Sequence, residues 1–272
     1  MISALLLPLL AQAATPDFFT LDSYSPPPAE QDRLTLCLEE VRTDPSSAIA
    51  SASIWMGEAH DAAERAFPQR CLGMAYTRLL RWQAAEQAFL TARAGTLEDQ
   101  SLMRSRLASM AGNSALADGR NEDALAAFAL AAQDAAAAGD TMQAGLVQAD
   151  RARALVGLGR IDEAAAALAD ARRDAPQSAD AWLLSATLAR RQGDLGAAQA
   201  QIQTAAGLDG TNPAIGLEAG VIAVLAGHGD AARQSWNSVI AIAPSSPEAE
   251  TARGYIAQLA EDPAAPEPEI TR

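Results

Sequence analysis

Residues 72–92 read LGMAYTRLLRWQAAEQAFLTA, and the spacing of Gly73, Tyr76, Ala85, Phe89 and Ala92 in that stretch governs the reading of the whole chain. The pattern of a small residue, then a large apolar residue, then another small residue returns downstream with helical spacing. The next copy carries Gly112, Gly119, Ala124, Phe128 and Ala131; the one after carries Gly159, Ala164, Leu168, Ala171 and Pro176. A further copy has Trp182, Ala186, Gly193, Ala198, Ile202 and Ala205, and the last has Gly220, Gly227, Ala232, Trp236 and Pro244. The anchor alanines Ala85, Ala124, Ala164, Ala198 and Ala232 step by 39, 40, 34 and 34 residues. Self-similarity at such a period marks units that cannot bury an apolar face alone and must stack.

Composition agrees. Ala, the best helix former, dominates, and aromatics make up only 4% of the 272 residues, so an all-α chain is expected. The alternative is an Ala-rich helical bundle whose likeness between segments is compositional. With Leu72-Gly73-x-x-Tyr76, then Ala85-x-x-x-Phe89, then a small residue, the stretch resembles the tetratricopeptide repeat. The resemblance covers most of Asp32–Leu259 and implies an α-α superhelix of five helix pairs, a sixth degenerate pair and a capping helix. One period upstream, Cys37, Ser51 and Trp55 stand where Cys71, Ala85 and Phe89 do, so residues 32–65 read as the divergent first repeat. The two long steps imply longer helices or loops around Thr96–Leu102 and Ala135–Gln143. Residues Ser246–Ala260 supply the capping helix.

Each repeated position has a physical reason. Gly or Ala at 73, 112, 152, 186 and 220 lets the two helices of a unit approach closely. Gly119, Gly159, Gly193 and Gly227 end the first helix, where positive φ is most easily supplied by Gly. Phe89, Phe128, Leu168, Ile202 and Trp236 fill the space toward the following unit. No strand is expected between Asp32 and Ala260.

The ends read differently. Residues 1–14, MISALLLPLLAQAA, place an apolar run before Ala11-Gln12-Ala13, a small-residue cleavage pattern, and read as a signal peptide; the alternative is a buried N-terminal helix. Residues 15–29 are a Pro/Ser-rich linker, residues 30–260 the solenoid, and residues 261–272 an acidic, Pro-rich tail expected to be disordered. No stretch is long and apolar enough to span a bilayer, so the mature protein is expected to have no integral membrane span and to be periplasmic or secreted.

Export bears on Cys37 and Cys71, the only cysteines, 34 residues apart. An oxidising compartment favours a disulfide. Against it, one period places both thiols on consecutive first helices, whose axes lie about 8–10 Å apart, while a disulfide needs Cα atoms about 4.4–6.8 Å apart. On this reading the bond forms only if the first unit packs closer or is shifted along its axis.

All 20 basic residues are Arg, against 34 acids, a net charge of −14. Without Lys there is no P-loop, kinase-type site or Schiff-base enzyme, and the charge argues against nucleic acid. His60 and His228 fall in different repeats, no His/Cys cluster has metal-ligand spacing, and G-x-S-x-G does not occur. Neighbouring acids such as Glu39 and Glu40 read as solvated helix residues. No enzyme, metal or cofactor is expected.

What remains is a surface. In the family, the first helices line a concave groove that holds a peptide or a partner's helix. The resemblance places Arg70, Met74 and Arg78, then Arg106 and Asn113, then Arg153, then Leu183, Thr187 and Arg190 along that groove, followed by Leu217, Val221 and Val224. Arg forks bind carboxylates in bidentate geometry, so the groove could receive an acidic peptide. The competing reading pairs these Arg with acids of neighbouring helices. The Lys and Asn clamp of chaperone-binding members is not matched. The expected function is an exported scaffold for protein–protein interaction. A second possibility is an assembly subunit of an envelope complex docking through its convex face or first repeat, and a third an accessory protein binding a small anion.

Overall fold

Five tight turns set the rhythm of the chain. At Gly119, Gly159, Gly193 and Gly227 the backbone is left-handed, with φ of 74, 72, 83 and 81°. In each, the amide one residue on closes back on the preceding helix, as in Arg120 N to Ala115 O at 2.9 Å and Asp194 N to Ala189 O at 3.0 Å. This is the six-to-one closure that satisfies the last carbonyls of a helix, and it wants Gly at the left-handed position. The fifth turn breaks the rule. Leu80 takes φ 57°, and Arg81 N still bonds Tyr76 O at 2.8 Å, so the same geometry is imposed on a residue with a Cβ.

The computed structural model describes residues 28–261, and every regular element among them is a helix, in two units. The first unit, through residue 175, holds α1 (Pro28–Thr43), α2 (Pro45–Glu58), α3 (Ala62–Arg78), α4 (Trp82–Gly95), α5 (Ser101–Ala117), α6 (Asn121–Ala138), α7 (Thr141–Gly157) and α8 (Ile161–Asp174). The second holds α9 (Ala179–Arg191), α10 (Leu195–Leu208), α11 (Pro213–Leu225), α12 (Gly229–Ile242) and α13 (Pro247–Glu261). Within each unit, helices consecutive in the chain pack on one another, and the first helices also touch: α1 with α3, α5 with α7, α9 with α11, and α11 with α13. The fold is all-α and of tetratricopeptide type, with four helix pairs in the first unit and two pairs closed by α13 in the second. The leader, most of the linker and all of the acidic tail after Glu261, the last residue of α13, lie outside the described residues. Helix α1 begins at Pro28, inside the stretch read as linker.

The unequal steps have a plain cause. Helices α3, α5 and α7 are 17 residues long, whereas α9 and α11 are 13. The difference is about one helical turn. Helix α6 runs 18 residues against 14 for α8, and ends in a sixth left-handed turn at Gly139.

The repeated positions form the core. All five anchor alanines are fully buried, as are Ala92, Ala131, Ala171 and Ala205 twelve residues after the turn positions. Phe89, Phe128 and Ile202 reach toward the following first helix as expected, clustering with Leu107 and Ala111, with Val147 and Ala154, and with Ile215 and Ile222. They also do something else. Phe89 and Phe128 lie on Gly73 and Gly112 of their own units, so closely that a Cβ there would stand 2.6 Å from Cδ1 of each ring. One side chain thus locks a pair internally and fastens it to the next.

Cys37 and Cys71 are joined, with Cα atoms 6.2 Å apart and both residues buried. No special shift of the first unit is needed. The expected conflict compared axis separation with Cα separation. Each Cα lies about 2.3 Å off its helix axis, so facing Cα atoms on helices about 8–10 Å apart come within bonding range.

Candidate functional site

The first helices are begun by short polar side chains. Asp61 accepts from Glu64 N at 2.8 Å, Asp140 from Gln143 N at 2.8 Å, Ser178 from Ala181 N at 3.3 Å and Asn212 from Ala214 N at 3.0 Å. These caps fix where α3, α7, α9 and α11 start, and so which residues share a face.

In the first unit, Arg70, Met74 and Arg78 stand on α3, Arg106 and Asn113 on α5, and Arg153 on α7. Phe67, Arg70 and Met74, at intervals of three and four, form one stripe of α3. Met74 is partly buried against the core on either side of it. Asn113 Nδ2 donates to Asp150 Oδ2 of α7 at 3.1 Å, and Asp150 also takes Arg153 Nη1 at 2.5 Å. Arg153 is therefore not a cation held clear of acids, as a purely receptive groove would have it. Its charge is answered three residues away on its own helix.

The second unit repeats the lesson. Arg190 of α9 grips Glu218 of α11 with both Nε and Nη2, at 2.6 and 3.3 Å, and the two side chains are only 15% and 12% exposed. A bidentate, part-buried pair of this kind ties two first helices together. Tyr255 of α13 completes the group: burial pushes its phenol pKa up, and the charges of Arg190 and Glu218 act on it in opposite directions. Thr187 Oγ1 donates to Leu183 O at 3.0 Å, so its hydroxyl serves its own helix. Leu183 packs against the core of α9–α11. Val221, placed by sequence on the open face, is buried, while Leu217 and Val224 are partly exposed. The sequence reading missed Asp150, Glu218 and Tyr255. Asp150 could have been found from its i,i+3 relation to Arg153; nothing in the spacing points to Glu218.

Elsewhere too, arginines meet acids. Arg93 of α4 binds Asp134 of α6 through two bonds of 2.6 and 3.0 Å, and Arg104 of α5 approaches the same carboxylate at 3.5 Å. Arg120, at the start of α6, reaches Glu86 of α4 as well as Asp118 and Asp123, and these partners push its pKa up. Arg70 and Arg78 differ. Neither makes a hydrogen bond or ion pair with another described residue. For Arg70, burial and then the neighbouring charge of Arg106 push the guanidinium pKa down.

Among the described residues, no group of three or more His, Cys, Asp or Glu is placed to hold a metal ion, and no helix is long and apolar enough to cross a membrane.

Comparison with known proteins bears on the fold. The family model described as "Tetratricopeptide repeat" matches twice, over residues 149–213 and 183–248, the part of the chain with 34-residue steps. No curated protein sequence matches the chain. Among solved structures, PilW, a widely conserved type IV pilus biogenesis factor, superposes with a TM-score of 0.64 at 18% identity, covering 83% of this chain and 99% of that one. PilF of Pseudomonas aeruginosa gives 0.63 at 16% identity, over 84% and 97% of the two chains. A thermophilic tetratricopeptide repeat protein of Thermus thermophilus, TTC0263, gives 0.56 at 20%, over 72% and 100%. At these identities the likeness is one of fold. With the repeated Gly turns and the buried anchor alanines it shows a fold of tetratricopeptide type, and the sequence match places tetratricopeptide repeats within residues 149–248.

Proposed function

We propose that this protein is an exported, non-catalytic scaffold that holds a segment of a partner protein on the face of its first helices. The observation that carries the reading is the state of α3: Arg70 and Arg78 are uncommitted within the fold, with Met74 between them on the same helix. Arg106 and Asn113 on α5, and Arg153 on α7, continue the face in the first unit; Leu183, Thr187 and Arg190 on α9, with Leu217 and Val224 on α11, form its counterpart in the second. Arg153 and Arg190, being paired, serve as walls of fixed geometry.

Export is supported by the apolar leader at residues 1–14 and by the buried Cys37–Cys71 disulfide, a bond that persists in oxidising compartments such as the periplasm. The second reading is an assembly subunit of an envelope complex, docking through its outer face or first repeat. It takes its support from the fold shared with PilW, a type IV pilus biogenesis factor. The test places a photo-cross-linking residue at Met74, Arg78 or Leu217 on first helices, and at Gln87, Ala126 or Asn237 on second helices, in the native cell. Cross-links to one partner from the first-helix positions alone support the scaffold reading. Cross-links from the second-helix positions alone overturn it in favour of outer-face docking. N-terminal sequencing of the same protein, expected to begin near Thr15, tests export.

A further inference from the structure

Arg70 is the cation that the fold leaves unanswered in the least forgiving place. It lies partly buried on α3, without a hydrogen bond or ion pair to any other described residue, and the charge it feels most is the positive one of Arg106 on α5. Burying an unpaired charge destabilises a fold, and placing a like charge beside it adds to the cost. Acids are not scarce in this chain, which has 34 of them. The same fold sets Glu218 beside Arg190, Asp150 beside Arg153, Asp134 beside Arg93 and Glu86 beside Arg120. Arg is ionised at any physiological pH, so the burden is permanent in the free protein.

A guanidinium held this way is set up for a carboxylate from outside. Its planar fork matches a carboxylate bidentately, and partial withdrawal from water strengthens the contact once it forms. The flanking side chains say more. Phe67 and Met74 lie about one turn to either side of Arg70 on the same stripe of α3, both partly buried, and Phe67 is stacked on Trp55 with ring centroids 6.4 Å apart. We infer that Arg70 is a receptor for the carboxylate of an acidic peptide segment, and that Phe67 and Met74 take the apolar residues next to that acid. The inference rests on the scaffold reading and names the chemistry of the segment bound. The free protein then carries a local instability that binding removes, a common trade between stability and function.

Two measurements on the full, disulfide-bonded chain test this. In the first, immobilised protein selects nine-residue peptides from a random display library, presented either with a free C-terminus or embedded at both ends. Wild type is expected to enrich Asp or Glu beside an apolar residue at least about tenfold. Arg70→Gln should lose that enrichment, while Arg173→Gln, an exposed position on the second helix α8, keeps it. Enrichment confined to the free-end format makes the ligand a terminal carboxylate, and enrichment in both makes it a side chain; either upholds the receptor. Peptides selected without acidic preference, or the same preference from Arg70→Gln, overturn the receptor and leave the scaffold reading standing. If wild type selects no peptide in either format, both readings fall.

The second measurement needs no ligand. Because the charge is uncompensated, Arg70→Gln and Arg70→Met should melt higher than wild type, by about 2–4 °C for each kcal/mol regained in a chain of this size. An acidic peptide from the selection should raise the wild-type melt and leave that of Arg70→Gln unchanged. A lower melt for both variants makes Arg70 a structural residue and overturns the inference.

Discussion

Gly220 lies directly beneath the indole of Trp236, so that a Cβ on Gly220 would stand 2.5 Å from Cδ1 of the ring. The ring is held in place. Its Nε1 donates to Leu217 O at 3.1 Å, and Tyr255 packs against it with centroids 5.1 Å apart. The pair belongs to a series at one offset: Gly73 with Phe89, Gly112 with Phe128, Ala152 with Leu168, Ala186 with Ile202, Gly220 with Trp236. Where the first helix has Gly the second brings an aromatic ring, and where it has Ala an aliphatic chain. Summed volume at the crossing is conserved, as close packing requires.

Gly220→Ala tests this. In an exposed helix the change would gain about 0.5–1 kcal/mol. Here the overpacking decides the sign, and a net loss of about 1–3 kcal/mol is expected by denaturant titration. The double variant Gly220→Ala, Trp236→Leu rebuilds the pairing found at Ala152 and Leu168. Its loss should be smaller than the sum of the two single losses; simple additivity would show that the residues are not coupled.

Leu80 holds a left-handed conformation that the other four turns inside a helix pair assign to Gly, and the residue is 68% exposed, so little packing compensates. Leu80→Gly should stabilise the protein by about 1 kcal/mol, read as a higher midpoint at unchanged m-value. A lower midpoint would mean that the exposed leucine makes a contribution the backbone argument omits.

The Cys37–Cys71 bond closes a loop across a sequence separation of 34 residues. Replacing both cysteines by Ser should cost about 3–4 kcal/mol through the entropy of the unfolded chain. Amide exchange should quicken first in α1 and α2, which have no helix pair before them among the described residues, while α11 to α13 keep their protection. Uniform loss of protection would show that the bond supports more than the end of the stack.

Asp44 caps α2, accepting from Ser46 N at 3.0 Å, Ser47 N at 3.1 Å and Ser47 Oγ at 2.7 Å. The Ser47 hydroxyl and amide, with the Ser46 amide, hold its carboxyl pKa below the ordinary 3.8. A carboxylate with a depressed folded-state pKa stabilises the fold above its ordinary value and loses that contribution as pH falls through the folded one. Asp44→Ala should therefore melt below wild type at pH 7, and the gap should narrow as pH drops under 3.8. A gap that stays constant down to acid unfolding would assign the effect to something other than the ionised cap.

The sequence by itself determined the repeat. Gly119, Gly159, Gly193 and Gly227 announce the turns because only a residue without Cβ adopts left-handed φ freely, a constraint local enough to read from the residue alone. The anchor alanines were legible for a similar reason: a helix crossing admits one size of side chain, so the same residue recurs at the same place. Leu80 escaped because the pairing of α3 with α4 overrode the local preference and forced the turn on a leucine. Pairing of charge between helices on the first-helix face was decided by the tertiary structure alone. Arg153 has Asp150 three residues away in its own helix, a spacing the sequence shows, yet Glu218 answers Arg190 across 28 residues, and no described acid answers Arg70. Periodicity carries size and shape, which neighbours along the chain impose. Pairing of charge depends on which side chains from different helices come within a few ångströms, and no spacing rule encodes that.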